Sequence, residues 1–165
     1  MARLFIAVWP PPSVVELLRA LPRDEAPGLR WTTPEQWHAT LRYFGDVDEV
    51  AAVAAFEMVE AEAAIAVVGP TVERLDAGVI VAPIVGLDAL AGAVHARTAG
   101  LGEPPHPAGF RGHLTLARQR VEAPCSADGV SLHDSFAVTE IALVRSSLHA
   151  AGARYVTLAR RPLST

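Results

Sequence analysis

The chain has 165 residues, 51% of them hydrophobic, and a positive mean hydropathy of +0.28. This length suits one domain over residues 1–165, and the composition excludes a disordered chain. No apolar run approaches the roughly 20 residues of a membrane-spanning helix, and the first apolar run is shorter than that of a signal peptide. We therefore expect a cytoplasmic protein, and the net charge of −4 argues against binding polyanions over the whole surface.

The charged residues and the single cysteine narrow the choice further. Cys125 alone cannot form an intramolecular disulfide or a cysteine-rich zinc site. Every basic residue is an arginine. Residues 1–82 carry six arginines and twelve acids, a charge of −6, whereas 83–165 carry eight arginines and six acids, a charge of +2. The C-terminal half is therefore the better place for an anionic ligand.

The first half of the chain predicts two strands and two helices. Residues 3–8 are a short β-prone run stopped by three prolines, which predicts a buried strand. Proline favours a helix start, and apolar spacing predicts a helix over 13–21. A short extended piece at 31–34 leads to a strand over 38–44. The alanine-rich stretch 48–67 has apolar residues at helical spacing and predicts the longest helix.

The second half predicts five strands and one helix. The helix is expected over 87–99 and is followed by a loop rich in glycine and proline at 100–109. A polar connection is expected over 122–135. The strands are expected at 72–75, 79–85, 113–117, 136–144 and 154–158.

Each half carries the same order of elements and the same signature. In the first half a strand and a helix precede the His-x-Thr-Leu motif of His38 and Thr40, and in the second half they precede that of His113 and Thr115. This order suggests two related lobes that face each other across a cleft, although the halves share little sequence beyond the motif.

The motif suits phosphodiester hydrolysis. On a strand, residues i and i+2 share a face, so each motif presents an imidazole beside a hydroxyl. The reaction needs a base for water and an acid for the leaving oxygen, and histidine serves in both roles near neutral pH. Threonine hydroxyls can donate to the non-bridging phosphate oxygens. A single motif would be unremarkable, but two at corresponding places favour a catalytic site. This arrangement of histidines and threonines needs no metal.

Five stretches of this chain resemble the two-histidine phosphoesterases. Residues 38–45, His-Ala-Thr-Leu-Arg-Tyr-Phe-Gly, resemble the first signature of that superfamily, and residues 110–118, Phe-Arg-Gly-His-Leu-Thr-Leu-Ala-Arg, resemble the second. Residues 3–8 and the C-terminal stretches 144–148 and 154–158 are similar to the bacterial and archaeal RNA 2′,3′-cyclic phosphodiesterases. This is the LigT-like group, once named 2′-5′ RNA ligase.

The resemblance implies an α+β fold with two pseudo-symmetric lobes, antiparallel sheets lining a central cleft, and helices outside. It also implies opening of a 2′,3′-cyclic phosphate to a 2′-phosphate without cofactor or metal. By position, His38, Thr40, His113 and Thr115 fall on the catalytic set, and the first histidine is usually the acid and the second the base. The residues alone leave that assignment open.

Two further residues are carried over by the resemblance. Arg118 falls on a position that contacts the phosphate, and Tyr43 on an aromatic position near the nucleobase, where a ring could stack. Each is five residues after its histidine, so an ideal strand would send it to the opposite face, and both assignments require a bulge or a strand end. One departure from the family is Gly112, because the residue before the second histidine is commonly proline.

Some residues with chemical potential are expected to lie outside this set. Trp37 neighbours His38 on the opposite face and is expected in the core, while Trp31 could line the cleft or plug the end of a lobe. His95 is expected on a helix surface, and His106 in a loop that could rim the cleft.

The sequence predicts a monomer that hydrolyses 2′,3′-cyclic phosphodiesters at RNA 3′ ends or on nucleotides, touching the terminal nucleotide or two. One alternative keeps the chemistry but changes the substrate to another small cyclic phosphate, such as an ADP-ribose derivative, or reverses it to make 2′-5′ linkages. Another is a nucleotide- or RNA-end-binding module without turnover. A zinc hydrolase is disfavoured, because no histidine pair has ligand spacing.

Overall fold

The computed structural model describes residues 1–165 as a curled antiparallel sheet with three helices. A one-turn 3-10 helix at Pro34–Gln36 precedes the first motif. The helices are α1 (Pro12–Arg19), α2 (Glu49–Glu57) and α3 (Asp88–Arg97). The strands are β1 (Ala2–Val8), β2 (Leu29–Trp31), β3 (Ala39–Val47), β4 (Ala64–Val68), β5 (Glu73–Asp76), β6 (Val79–Val85), β7 (His113–Gln119), β8 (Asp134–Val138), β9 (Glu140–His149) and β10 (Gly152–Pro162). None of the helices is long and apolar enough to span a membrane.

The sheet joins two lobes at its centre. The strand order is β10-β9-β1-β3-β7-β6-β4-β8, with β2 added beside β7 and β5 beside β6. The two motif strands, β3 and β7, meet at a single residue pair, Ala39 opposite Leu114. This contact brings together residues 75 positions apart in sequence, and it sets the two motifs side by side.

The predicted internal repeat is confirmed in the topology. In the first lobe β1 is followed by α1 and then by β3, which pairs antiparallel with β1. In the second lobe β6 is followed by α3 and then by β7, which pairs antiparallel with β6. The motif strands therefore lie at equivalent places in two similar units.

The helix predicted over residues 48–67 is wrong in its second half. Asp48 caps α2 by accepting a hydrogen bond from the backbone N–H of Ala51 at 3.0 Å, but the helix ends at Glu57. Residues 64–68 instead form β4, which pairs with β6 and β8. Three of those five residues are β-branched and favour a strand once partners are available. With ten residues, α3 is the longest helix.

The single strand predicted over 136–144 is also wrong, because the chain forms two strands there. β8 pairs with β4 at one end of the sheet, whereas β9 pairs with β1 and β10 in the other lobe. The two are separated by the exposed Thr139. Within the predicted strand, only the exposed polar residues Thr139 and Glu140 mark this change of lobe.

The hydrophobic core lies mostly on one face of the sheet, and β1 is buried on both faces. Leu4 and Ile6 point into the main cluster together with the fully buried Trp37, which confirms the core position predicted for that residue. Phe5 and Ala7 point the other way, into a small second cluster that also contains Ala142 and Val144. Phe5 of this second cluster lines the cleft described below.

Each motif strand contains a β-bulge one residue after the motif threonine. In β3, Thr40 and Arg42 are paired with successive residues of β1, so Leu41 has no partner. In β7, Thr115 and Ala117 are paired with successive residues of β6, so Leu116 has no partner. An unpaired residue shifts the alternation of the strand by one, and the residues that follow change face.

Thr32 supplies the hydrogen bonds that the bulge in β7 needs. Its hydroxyl oxygen lies 2.8 Å from the carbonyl oxygens of both Thr115 and Leu116, so its one proton is shared between them in a bifurcated hydrogen bond. Its backbone N–H donates to the carbonyl oxygen of Leu116 at 2.9 Å. The same hydroxyl accepts a hydrogen bond from the indole Nε1 of Trp37 at 2.9 Å. One side chain thus ties the bulge of the second lobe to the core of the first.

We expect Thr32→Val to lower the free energy of unfolding by about 1–3 kcal/mol, because it removes the acceptor of the Trp37 indole N–H and the hydroxyl donor to the Thr115 carbonyl. Urea denaturation measures this change. The matched control is Thr139→Val, at an exposed threonine that forms no side-chain hydrogen bond. Equal stability of Thr32→Val and the wild type would show that the hydroxyl does not support the bulge.

Candidate active site

Both motifs open into one cleft of about 460 Å³, which is in the size range of small-molecule sites. His38 and Thr40 line it from the first lobe, and His113 and Thr115 from the second. The lining contains two arginines and three histidines but no aspartate or glutamate. In a protein of net charge −4, a cleft without carboxylates favours an anionic ligand. No group of three or more His, Cys, Asp or Glu side chains is arranged to hold a metal ion.

The two histidines are held in the same way. The Nδ1 of His38 lies 2.7 Å from the carbonyl oxygen of Gln36, and the Nδ1 of His113 lies 2.8 Å from that of Arg111. A carbonyl only accepts, so each Nδ1 carries the proton and each Nε2 carries the lone pair in the neutral ring. Both rings therefore present the nitrogen that can exchange a proton with a ligand.

Aromatic side chains enclose His38. Its ring stacks on Phe5 at a centroid distance of 4.7 Å and meets the edges of Tyr155 at 5.1 Å and Trp9 at 5.8 Å. This desolvation lowers the pKa of His38 to about 4, against the smaller opposing effect of the Gln36 carbonyl. His38 is therefore neutral at pH 7 in the unliganded protein.

The threonines of the two motifs differ in their partners. The Thr40 hydroxyl lies 3.0 Å from the Nε2 of His38 and can donate to it. No partner of this kind is seen for the Thr115 hydroxyl, which lines the cleft beside His113. Each lobe thus provides a hydroxyl next to an imidazole, as the motif predicted.

The bulges place Arg118 and Tyr43 in the cleft. Arg118 follows the bulge at Leu116 and Tyr43 follows the bulge at Leu41, and both line the same cleft as the motif residues. The parity that an ideal strand would impose is thereby reversed. The phosphate-binding role of Arg118 and the base-stacking role of Tyr43 stay predictions.

The other residues considered in the sequence analysis lie in different parts of the structure. Trp31 lines the cleft, with its indole Nε1 donating to the carbonyl of Asp24 at 2.8 Å. His95 is half-buried rather than on the surface, because its Nε2 bonds the carbonyl oxygen of Leu41 at 2.7 Å. His106 is exposed and does not line the cleft.

Several residues that line the cleft were not predicted from the sequence. They come from β1, β2, β10, the 3-10 helix and the segment just before that helix, and none belongs to a motif. They are Phe5, Arg30, Thr32, Gln36 and Tyr155. The sequence places Tyr155 only within a strand, and burial raises the pKa of its hydroxyl. An apolar residue next to two other apolar residues, such as Phe5, carries no signal that it faces a site.

A close approach of two backbone segments explains why position 112 is a glycine in this chain. The carbonyl of Gly112 accepts from the backbone N–H of Ile84 at 3.0 Å, so the chain just before His113 lies directly against β6. A Cβ added to Gly112 would contact the Ile84 carbonyl oxygen and lie 2.9 Å from its Cγ2. The departure from the family's proline thus coincides with a close approach of two backbones.

Comparison with known proteins gives structural matches only. The sequence matches no model of a protein family and no curated protein. Among solved structures, apo LigT of E. coli is similar with a TM-score of 0.80 and 25% identity over 99% of this chain and 98% of that one. The Thermus thermophilus protein TT0787 is similar with a TM-score of 0.76 and 27% identity over 97% of each chain. A protein named as a phosphoesterase matches at a TM-score of 0.75 and 24% identity over 100% of both chains.

We expect His38 to titrate near pH 4 in NMR spectra of its imidazole, with the proton on Nδ1 at neutral pH. Because the pKa is below the ordinary value of 6.5, the folded state binds the proton less readily than the unfolded state. Stability should therefore fall as the pH drops from about 6.5 towards 4.

His38→Gln should remove that part of the pH dependence, measured by denaturation at several pH values. His133→Gln, at an exposed histidine, is the control and should leave the dependence as in the wild type. A His38 signal that titrates near 6.5 would contradict the enclosure argued above.

We expect Gly112→Ala to lower the free energy of unfolding by about 1–3 kcal/mol, since the added methyl pushes β6 and the chain before His113 apart. The control is Gly92→Ala on α3, where nothing lies within 4 Å of the added Cβ. That change should instead stabilise the helix by up to about 1 kcal/mol. Loss of stability in both variants would point to general sensitivity and not to the contact at Ile84.

Proposed function

We propose that this chain, whose fold is similar to that of LigT of E. coli, is a LigT-like two-histidine phosphoesterase that hydrolyses 2′,3′-cyclic phosphodiesters to 2′-phosphates. The substrates are RNA 3′ ends or nucleotides that carry the cyclic phosphate. The observation that carries the proposal is the pair of histidines, His38 and His113. Each is fixed through Nδ1 with the lone pair on Nε2, in one cleft that has arginines but no carboxylate.

The arrangement supplies the groups that the reaction needs. Water attacks the phosphorus while the bond from phosphorus to O3′ breaks, so one histidine takes the proton of the water and the other gives a proton to O3′. Negative charge collects on the non-bridging oxygens, where the hydroxyls of Thr40 and Thr115 and the guanidinium of Arg118 would donate. The product keeps its phosphate on O2′, and the exposed ring of Tyr43 would stack on the base.

The burial of His38 bears on which histidine is the acid. The resemblance implies that the first histidine donates to O3′, whereas a pKa of about 4 keeps it neutral, the form of a base, before substrate binds. A bound phosphate places negative charge beside the ring and raises its pKa. His38 acts as the acid only with that contribution from the substrate, and as the base without it.

Complexes of the structural relative agree with a nucleotide as ligand. LigT of E. coli has been crystallised with phosphate, with 3′-AMP and with ATP. The cleft of the present protein has two arginines and the two motif histidines beside the exposed ring of Tyr43. We therefore place a nucleotide across it, with the phosphate between the two histidines and the base towards Tyr43.

We expect the wild-type protein to convert a 2′,3′-cyclic mononucleotide, and a short RNA ending in a cyclic phosphate, into 2′-monophosphates in the presence of chelator. Phosphorus NMR identifies the product and the bond that is broken. His38→Ala and His113→Ala should each lower kcat by about 10²–10⁴, since each removes one proton transfer. Thr115→Val should lower kcat by about ten- to a hundredfold, because one donor to the phosphate is lost.

Two controls sharpen this test. The exposed His133 lies outside the cleft, so His133→Ala should turn over like the wild type. A diester with a p-nitrophenol leaving group needs no acid, so the variant that lacks the acid should keep activity on it while the variant that lacks the base should not. If the folded wild-type protein turned over neither substrate, the proposal would be wrong. The protein would then act on another cyclic phosphate or bind nucleotides without turnover.

A further inference from the structure

A second arginine stands beside Arg118 at the cleft. Arg30 of β2 is the direct partner of Arg118 of β7 in the antiparallel register. Directly opposed residues share a face of the sheet, with their Cα atoms about 5 Å apart. Both arginines line the cleft, both are exposed, and neither is in an ion pair with a carboxylate. Two like charges therefore face the same space without compensation.

Such a pair is unfavourable by itself. Like charges directly opposite each other on neighbouring strands destabilise a sheet, whereas an anionic group bound at each guanidinium would offset the repulsion. The cleft offers no carboxylate that could do this. An anionic ligand in the cleft would supply a compensating charge.

The two guanidinium groups serve different parts of the cleft. Arg30 reaches across to the turn between β9 and β10, where its Nη2 contacts Gly152 and would meet any side chain placed there. Arg118 lies close enough to Tyr155 for its charge to lower the pKa of that hydroxyl, against the larger effect of burial, and Tyr155 in turn contacts His38.

Gly152 and Tyr155 are three residues apart on β10, a distance of about 10 Å along an extended strand. One phosphate is too small to bridge both ends of that span. The arrangement provides one cationic group near the reacting centre and a second one further along the cleft.

The part of the cleft around Arg30 is formed by residues that contact one another. The Nε2 of Gln36 donates to the carbonyl of Ala153 at 2.8 Å and so fixes the β9–β10 turn against the 3-10 helix of the first lobe. Gly152 is buried with φ of +119°, a conformation that favours glycine. The absence of a side chain at Gly152 leaves the space that the guanidinium of Arg30 takes.

We propose that Arg30 binds a second, non-reacting phosphoryl group, the one on the 5′ oxygen of the nucleoside whose cyclic phosphate is opened. This inference rests on the proposed function and specifies its substrate class. The preferred substrate has two phosphoryl groups, as a 5′-phosphorylated cyclic nucleotide and a terminal residue of RNA both do. A cyclic nucleotide with a free 5′-hydroxyl leaves Arg30 without a partner.

The test compares kcat/KM for three substrates: adenosine 2′,3′-cyclic phosphate, the same compound with a 5′-phosphate, and the dinucleotide that ends in the cyclic phosphate. We expect the wild type to prefer either or both of the longer substrates by about tenfold, the contribution of a charge-assisted contact. Arg30→Gln should bring the preference close to one, and Arg30→Lys should restore part of it. Preference for only the monoester or only the diester would identify the source of the second phosphoryl group.

A binding measurement separates this inference from the proposed function. Calorimetry with adenosine 2′,5′-bisphosphate and with 2′-AMP needs no turnover, and the affinity ratio of the two should fall in Arg30→Gln. The control is Arg120→Gln, at an exposed arginine two residues beyond Arg118 that does not line the cleft, and it should keep the wild-type ratio. If no substrate is turned over, the proposed function fails while the binding ratio still decides the role of Arg30.

Either of two results overturns the inference. The wild type could bind 2′-AMP and the bisphosphate equally well, or Arg30→Gln and Arg120→Gln could lower the ratio by the same factor. In the second case the effect would be that of net charge and not of a contact at Arg30.

Discussion

The site depends on one departure from regular strand geometry, the extra residue that follows each motif threonine. A regular strand would present His113 and Thr115 to the cleft and turn Arg118 away from it. The unpaired Leu116 shifts the alternation, and Leu41 does the same in the first lobe for Tyr43. A bulge leaves backbone groups without ladder partners, and in the second lobe Thr32 provides them from the end of a neighbouring strand. The bulge at Leu116 therefore places Arg118 in the cleft, and the hydrogen bonds from Thr32 stabilise that bulge.

The two lobes repeat their topology but not their environment. Both histidines use the carbonyl two residues before them to fix Nδ1, which the repeated motif explains. Only His38 has the aromatic enclosure of Phe5, Trp9 and Tyr155, which comes from β1 and β10 and has no counterpart in the second lobe's motif. An acid–base pair needs two groups whose environments differ. The asymmetric surroundings of a symmetric motif meet that need.

The sequence predicts those structural features that depend on residues close to one another along the chain. The two motifs, the repeated order of elements and the strand pair around residues 76–78 are all present, because turn residues and alternation act over a few positions. The end of α2 and the strand at 64–68 were missed, since alanine fits either structure and the partners of that strand lie far away in sequence. Arg30 and Thr32 were missed as site residues because only the pairing of β2 with β7, across 86 to 90 residues, brings them to the cleft.

The distribution of charge is compatible with the anionic substrate proposed above, although the protein as a whole is acidic. The twelve acids of residues 1–82 would repel a long nucleic acid, and none of them lines the cleft. Inside it, Arg30 and Arg118 line the cleft, and no carboxylate lies beside them. Attraction is therefore confined to a length of about 10 Å along β10, which is room for one nucleotide and its two phosphoryl groups. On the proposed function, the net charge of −4 disfavours the binding of a longer polyanion and favours the end of a chain or a single nucleotide.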